Sequence, residues 1–170
     1  MLGKTELICG SVRRRVRFLV EDFPLIVTVS APVWNADEVR ALTEGFEPYF
    51  QRGERYTVLS VPWPNAPAPG HAERKLITQW TGHPRVREVI KRLCVGAATV
   101  VPGAVERAAL SIIWALGKPP CPSEAVPSIE RGLDYCLKRM REEGLALSKP
   151  ADLVRYETLR AVSRLFTKEA

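Results

Sequence analysis

Six consecutive residues, Tyr56, Thr57, Val58, Leu59, Ser60 and Val61, make a near-continuous apolar run with β-branched members. A strand that is apolar on both alternating faces must be covered from both sides, and such runs belong to the interior of parallel sheets. That requirement selects an α/β arrangement, with helices packed on a sheet. The flanks agree. Gly53 stops a helical stretch just upstream, prolines at 62, 64, 67 and 69 stiffen a loop just downstream, and a long helical pattern follows to Cys94.

Reading outward from that run, residues 1–30 suggest two strands, Leu7–Val20 and Leu25–Ser30, joined by Glu21, Asp22, Phe23 and Pro24 in a tight antiparallel connection. A regular first strand would put Val12, Arg14, Val16 and Phe18 on one face. Arg13, Arg15 and Arg17 would share the other, a face whose plainest account is solvation. Asn35 is a strong N-cap, with Glu38 at capping-box spacing and Trp34 placed to staple onto Val39. Val39, Leu42, Phe46, Tyr49 and Phe50 then form one apolar stripe, and Pro48 is expected to shorten or kink the last turn.

Beyond the proline loop, Leu76, Ile77 and Trp80 mark a helix that pauses at Gly82, His83 and Pro84, then resumes with Val86, Val89, Ile90 and Leu93. Val95–Val101 reads as a further buried strand. The next helix is expected to turn Val105, Ala108, Ile112 and Leu116 inward and to end at Gly117. Lys118–Pro127 holds four prolines and reads as a loop or an extended edge segment. Ser128 caps a helix with Leu133, Cys136, Leu137 and Met140 inward, and a final helix starts near Pro150 using Leu153, Leu159, Val162, Leu165 and Phe166.

The expected fold is therefore α/β: a mostly parallel sheet of four to five strands, an antiparallel N-terminal hairpin at its edge, helices packed on it, and an extra C-terminal helix. Residues 1–145 would form the α/β domain and 146–170 a helical extension. With 170 residues and 46% apolar content the chain can bury a substantial core. No apolar run approaches the roughly 20 residues that a bilayer-spanning helix needs. The opening residues lack the order of a secretion signal, so a cytoplasmic location is expected, and Cys9, Cys94, Cys121 and Cys136, none in a CxxC, read as free thiols.

No dinucleotide, P-loop or serine-hydrolase motif occurs, and no catalytic residue, metal ligand or cofactor is assigned. A zinc site built from distant cysteines is the alternative to four free thiols. His71 and His83 are twelve apart, which is not the spacing of a helical metal pair. His71, at a helix start after the loop, would be the base in an enzymatic reading, while its plainer account is a solvated histidine. Asp37, Glu38, Glu44 and Glu47 read as the wet side of the first helix. The 25 Lys and Arg against 19 Asp and Glu leave a net +6, which points to an acidic partner rather than to any fold. Arg85, Arg87, Lys91 and Arg92 form a basic cluster without the interleaved exposed aromatics of a nucleic-acid surface.

The unit strand 56–61, helix 76–93, strand 97–101, helix 105–116, with the phrases GERYTVLSVPWP and ERKLITQW, resembles a STAS-type domain (sulphate-transporter and anti-sigma-factor antagonist) of the bacterial STAS/SEC14-like branch. The likeness spans about residues 5–143. It implies a non-enzymatic domain that binds partner proteins, in some members nucleotides or lipids, with the loop and helix after the middle strand as docking surface. The serine that antagonists phosphorylate at this helix start has no counterpart, because 62–72 contains no serine or threonine and offers His71 instead.

The expectation is thus a cytoplasmic, non-catalytic regulatory or adaptor domain that binds another, acidic protein through Trp63, His71, Arg74, Arg85, Arg87 and Arg92. Its C-terminal helix would pack on the domain or reach a second copy. A small-molecule binder or enzyme with a pocket near residues 60–74 is the alternative, and nucleic-acid binding a second.

Overall fold

The structure is a computed structural model and describes residues 16–168. Five strands form one sheet in the order of the chain: β1 (Arg17–Leu19), β2 (Leu25–Val29), β3 (Tyr56–Val61), β4 (Cys94–Val100) and β5 (Ser123–Val126). β1 pairs antiparallel with β2, Arg17 opposite Val29, and every later pairing is parallel. The apolar run 56–61 is the central strand, buried along its length except at Ser60. Only Arg17–Leu19 of the long first strand is strand here; Val12, Arg13, Arg14 and Arg15 lie outside the described residues.

Six helices connect and cover the sheet: α1 (Ala36–Arg52), α2 (His71–Gly82), α3 (Pro84–Leu93), α4 (Ala104–Gly117), α5 (Ile129–Glu142) and α6 (Ala151–Lys168). Each crossover from β2 to β5 steps to the next strand in the same direction. With right-handed connections, such steps place their helices on one side and leave the other to be covered separately. The core divides accordingly. Ile26, Tyr56 and Val58 pack with Phe46 and Phe50 of α1 and with Val86 and Leu93 of α3. The alternate residues Val27, Val29, Leu59 and Val61 pack with Leu133, Cys136 and Met140 of α5 and with Val154 and Val162 of α6. This is the period-two alternation of strands, with both faces apolar.

Local signals explain α1 well. Asn35 Oδ1 accepts from the N–H groups of Asp37 and Glu38 at 2.9 and 3.0 Å, and Gly53 closes the helix in the left-handed region at φ 69°. One expectation is narrowed here and another fails. Pro48 does not shorten the helix, which runs on to Arg52, because only one intrahelical donor is lost and Phe46, Tyr49 and Phe50 hold the turn against the core. Glu38 is not on the wet side: it is buried, and its Oε2 accepts the Val16 N–H at 2.8 Å. The hairpin strand thus claims the carboxylate.

β4 carries an irregularity that Arg139 resolves. Tyr56 lies opposite Cys94 but Thr57 opposite Gly96, so Val95 is extra. Arg139 Nε of α5 donates to the Val95 carbonyl at 3.0 Å, and the Arg139 and Tyr135 side chains lie where a Cβ on Gly96 would fall. The Lys118–Pro127 segment resolves into β5, a four-residue edge strand bracketed by Pro122 and Pro127 with Glu124 exposed.

Candidate functional site

The loop after β3 is tied down at its root. Ser30 N–H donates to the Val61 carbonyl, and Ser30 Oγ accepts the Trp63 N–H, both at 2.9 Å. The Trp63 ring meets Phe166 of α6 edge-on, centroids 5.2 Å apart, so the indole is half-buried and anchors the C-terminal helix instead of standing in solvent. The rim at the carboxyl end of the central strand is therefore braced by α6.

The other residues of the expected surface spread along α2 and α3. His71 is the exposed first residue of α2. Arg74, one turn on, is also exposed and donates to the Pro69 carbonyl at 2.8 Å, closing the loop onto the helix. On α3 the apolar residues Val86, Val89, Ile90 and Leu93 face the core, and the cations take opposite flanks. Arg85 and Arg92, seven apart, share one flank, where Arg85 hydrogen-bonds the Glu47 carboxylate of α1 and holds it below the usual carboxylate range. Arg87 lies on the other flank and donates to the Lys118 carbonyl, at the end of α4, at 3.1 Å. The structure thus places His71 and Arg74 together and separates Arg85 and Arg92 from Arg87.

α4 is the element that periodicity misread. Its stripe Val105, Ala108, Ile112 and Leu116 faces out, not in: Val105 is 79% exposed, Ile112 62%, Ile113 61% and Leu116 82%. The helix touches the body through Arg107, Leu110 and Trp114, which are partly covered, and Arg107 donates to the Val101 and Pro102 carbonyls. The reason is geometric. Spacing reports which residues share a face, whereas what lies opposite depends on the sheet, and at this edge there is only the four-residue β5.

The thiols are differentiated by burial. Cys136 donates toward the Val58 carbonyl and is pushed up to about 12 by desolvation. Cys94 is also raised, first by a hydrogen bond with Cys121 and then by burial; Cys121 is held below its usual value by that same bond. Two cavities open elsewhere. One, of about 310 Å³, lies between the hairpin and α6, where Lys149 Nζ sits 2.9 Å from Asp22 and 2.5 Å from Glu157. The other, of about 540 Å³, lies between Phe23–Pro24, Arg52–Arg55 and 145–148. Neither is lined by residues 60–74, where the small-molecule alternative expected its pocket.

The fold is that of an α/β domain on a five-stranded mixed sheet, and among the described residues no helix is long and apolar enough to cross a membrane. Comparison with protein-family models, with curated proteins and with solved structures gives no match to the chain.

Proposed function

We propose that this chain is a non-catalytic regulatory or adaptor domain that acts by binding another protein, in the manner of the STAS-type domains that its element order resembles. The observation that carries the reading is α2. It has no buried residue, and its wet face sets His71, Arg74 and Lys75 side by side at helical spacing, with Leu76 39% exposed. Trp80 holds the helix to the core through Phe46 and Phe50, so the remaining surface is free to meet a partner. Arg92 is a further exposed cation, in the last turn of α3, and with a net charge of +6 the fitting partner is acidic. Arg85 is engaged by Glu47 of α1, and Trp63 by Phe166 of α6.

The test is capture from the source cells with the full chain as bait, in parallel with an Arg74→Glu, Arg92→Glu variant whose circular dichroism matches the parent. A partner retained by the parent at low salt and lost by the variant is expected. Equal retention by both removes this surface.

A further inference from the structure

We infer that Cys121 and Cys94 form a peroxide-sensitive dithiol, in which the Cys121 sulfur is oxidised first and the Cys94 sulfur closes a disulfide with it. The pair is separate from the basic face of α2 and α3, and the inference does not rest on that face.

The sheet brings the two thiols together. Ala97 of β4 lies level with Ser123 of β5, and the Ala97 N–H donates to the Pro122 carbonyl at 2.8 Å, so the pairing continues toward the amino ends of both strands. Cys121, two residues before Ser123, returns to the side of the sheet that Ser123 and Ala97 share. Cys94 is three residues before Ala97, yet it belongs to that same side, because Val95 is extra in the strand. Cys121 accordingly packs against the cluster that holds Cys94 and Tyr56. Neighbouring strands run about 4.8 Å apart, within the span of about 4.4–6.8 Å between Cα atoms that a disulfide bridges. The two thiols are hydrogen-bonded to each other. Cys136 stands apart, on the opposite side of the sheet among Leu59 and Met140.

The two positions differ in the sense that the reaction needs. Cys121 is partly exposed, its thiolate is favoured by the bond from Cys94, and Ser123 Oγ lies 3.8 Å from its sulfur. Cys94 is buried and keeps its proton. The Cys121 thiolate attacks one oxygen of hydrogen peroxide. An S–O bond forms, the O–O bond breaks, and the departing hydroxide takes up the proton that the thiol had released, giving water. The Cys94 sulfur then attacks the sulfenic sulfur. The S–S bond forms, the S–O bond breaks, and the hydroxyl leaves with the Cys94 proton as a second water. Two electrons pass in all from the sulfurs to the peroxide. The product ties the start of β4 to the segment that leads α4 into β5, and so encloses α4 in a covalent loop.

Peptide mapping tests the pairing. The full chain, reduced and then freed of reductant, is exposed to a small excess of hydrogen peroxide, blocked with N-ethylmaleimide and digested with trypsin without reductant. Arg107 and Arg131 put Cys94, Cys121 and Cys136 in separate peptides. The expected product is a monomeric chain in which the Cys94 and Cys121 peptides are joined, and dithiothreitol restores both. Two variants, each compared with the parent by far-UV spectrum and melting temperature, test the order of events. In Cys94→Ser the closing thiol is gone, so dimedone should trap a sulfenic acid on Cys121. In Cys121→Ser the oxidation of Cys94 should slow about tenfold or more. The map of the parent decides on its own where a variant folds poorly. Overoxidation of Cys121 with Cys94 left free overturns the inference. So does a disulfide that takes Cys9 or Cys136 in place of either thiol, a parent whose thiols all survive the peroxide, or a Cys94 that reacts as fast in Cys121→Ser as in the parent.

Discussion

Cys94, Cys121 and Cys136 are all free thiols, yet the fold makes them chemically unequal. The attacking species in alkylation is the thiolate, so a lowered thiol pKa and some access speed the reaction, while burial slows it on both counts. Cys121 is partly exposed and held down by its hydrogen bond to Cys94; Cys94 and Cys136 are buried and pushed up. In the native protein at neutral pH, iodoacetamide is expected to modify Cys121 first, then Cys94, with Cys136 protected until unfolding. Peptide mass spectrometry against time reads the order, and early labelling of Cys136 would contradict the packing around Val58. The inward place of Cys136 was legible in the helical spacing, but the bond between Cys94 and Cys121 was not. The four cysteines are far apart in the chain, and only the pairing of β4 with β5 and the docking of α5 give each its surroundings.

Among the helices, α1 and α4 mark the two ends of what sequence can say. The boundaries of α1 were readable because its start and stop are local: Asn35 reaches donors two and three residues away, and Gly53 supplies the left-handed residue that closes it. Replacing Asn35 with Ala should lower stability by about 1 kcal/mol, the usual cost of a lost N-cap, measured by urea denaturation with an unchanged m-value. A loss near zero would mean that the Asp37 and Glu38 amides find water just as well. Glu38 was misassigned for the opposite reason. Its partner is the Val16 amide, 22 residues earlier, and no spacing rule reports an acceptor drawn across the fold. α4 failed in the same way, since Val105, Ile112 and Leu116 share a face as expected but the sheet lies behind the other one. The basic residues of α3 show the intermediate case. Their common helix was evident, while their division between Glu47 and the Lys118 carbonyl needed the neighbours.

Taken together, the sheet and its two covers form one core. Val154 and Val162 of α6 are buried among Val27, Leu59, Leu133 and Met140, and Lys149 fixes the start of the helix to Asp22. The helix expected as an extension after residue 145 is thereby structural, and its far end braces the Trp63 loop. Val162→Asp puts an unpaired carboxylate into that core, a change of several kcal/mol. It should lower the melting temperature of the whole chain in a single transition followed alike by far-UV and tryptophan signals. A variant that loses only α6 while the remainder melts at the parental temperature would divide the molecule into two units. The α/β class and the central strand followed directly from the apolar run 56–61, because a strand that is apolar on both faces has few places to go.

The border strand β5 has one more consequence. A short ribbon closed by imino acids on either side, with a carboxylate standing outward at Glu124, offers little for a foreign backbone to zip onto. At that border the molecule is shielded from fibril-like stacking, and contacts made there must be between side chains of helices rather than between main chains.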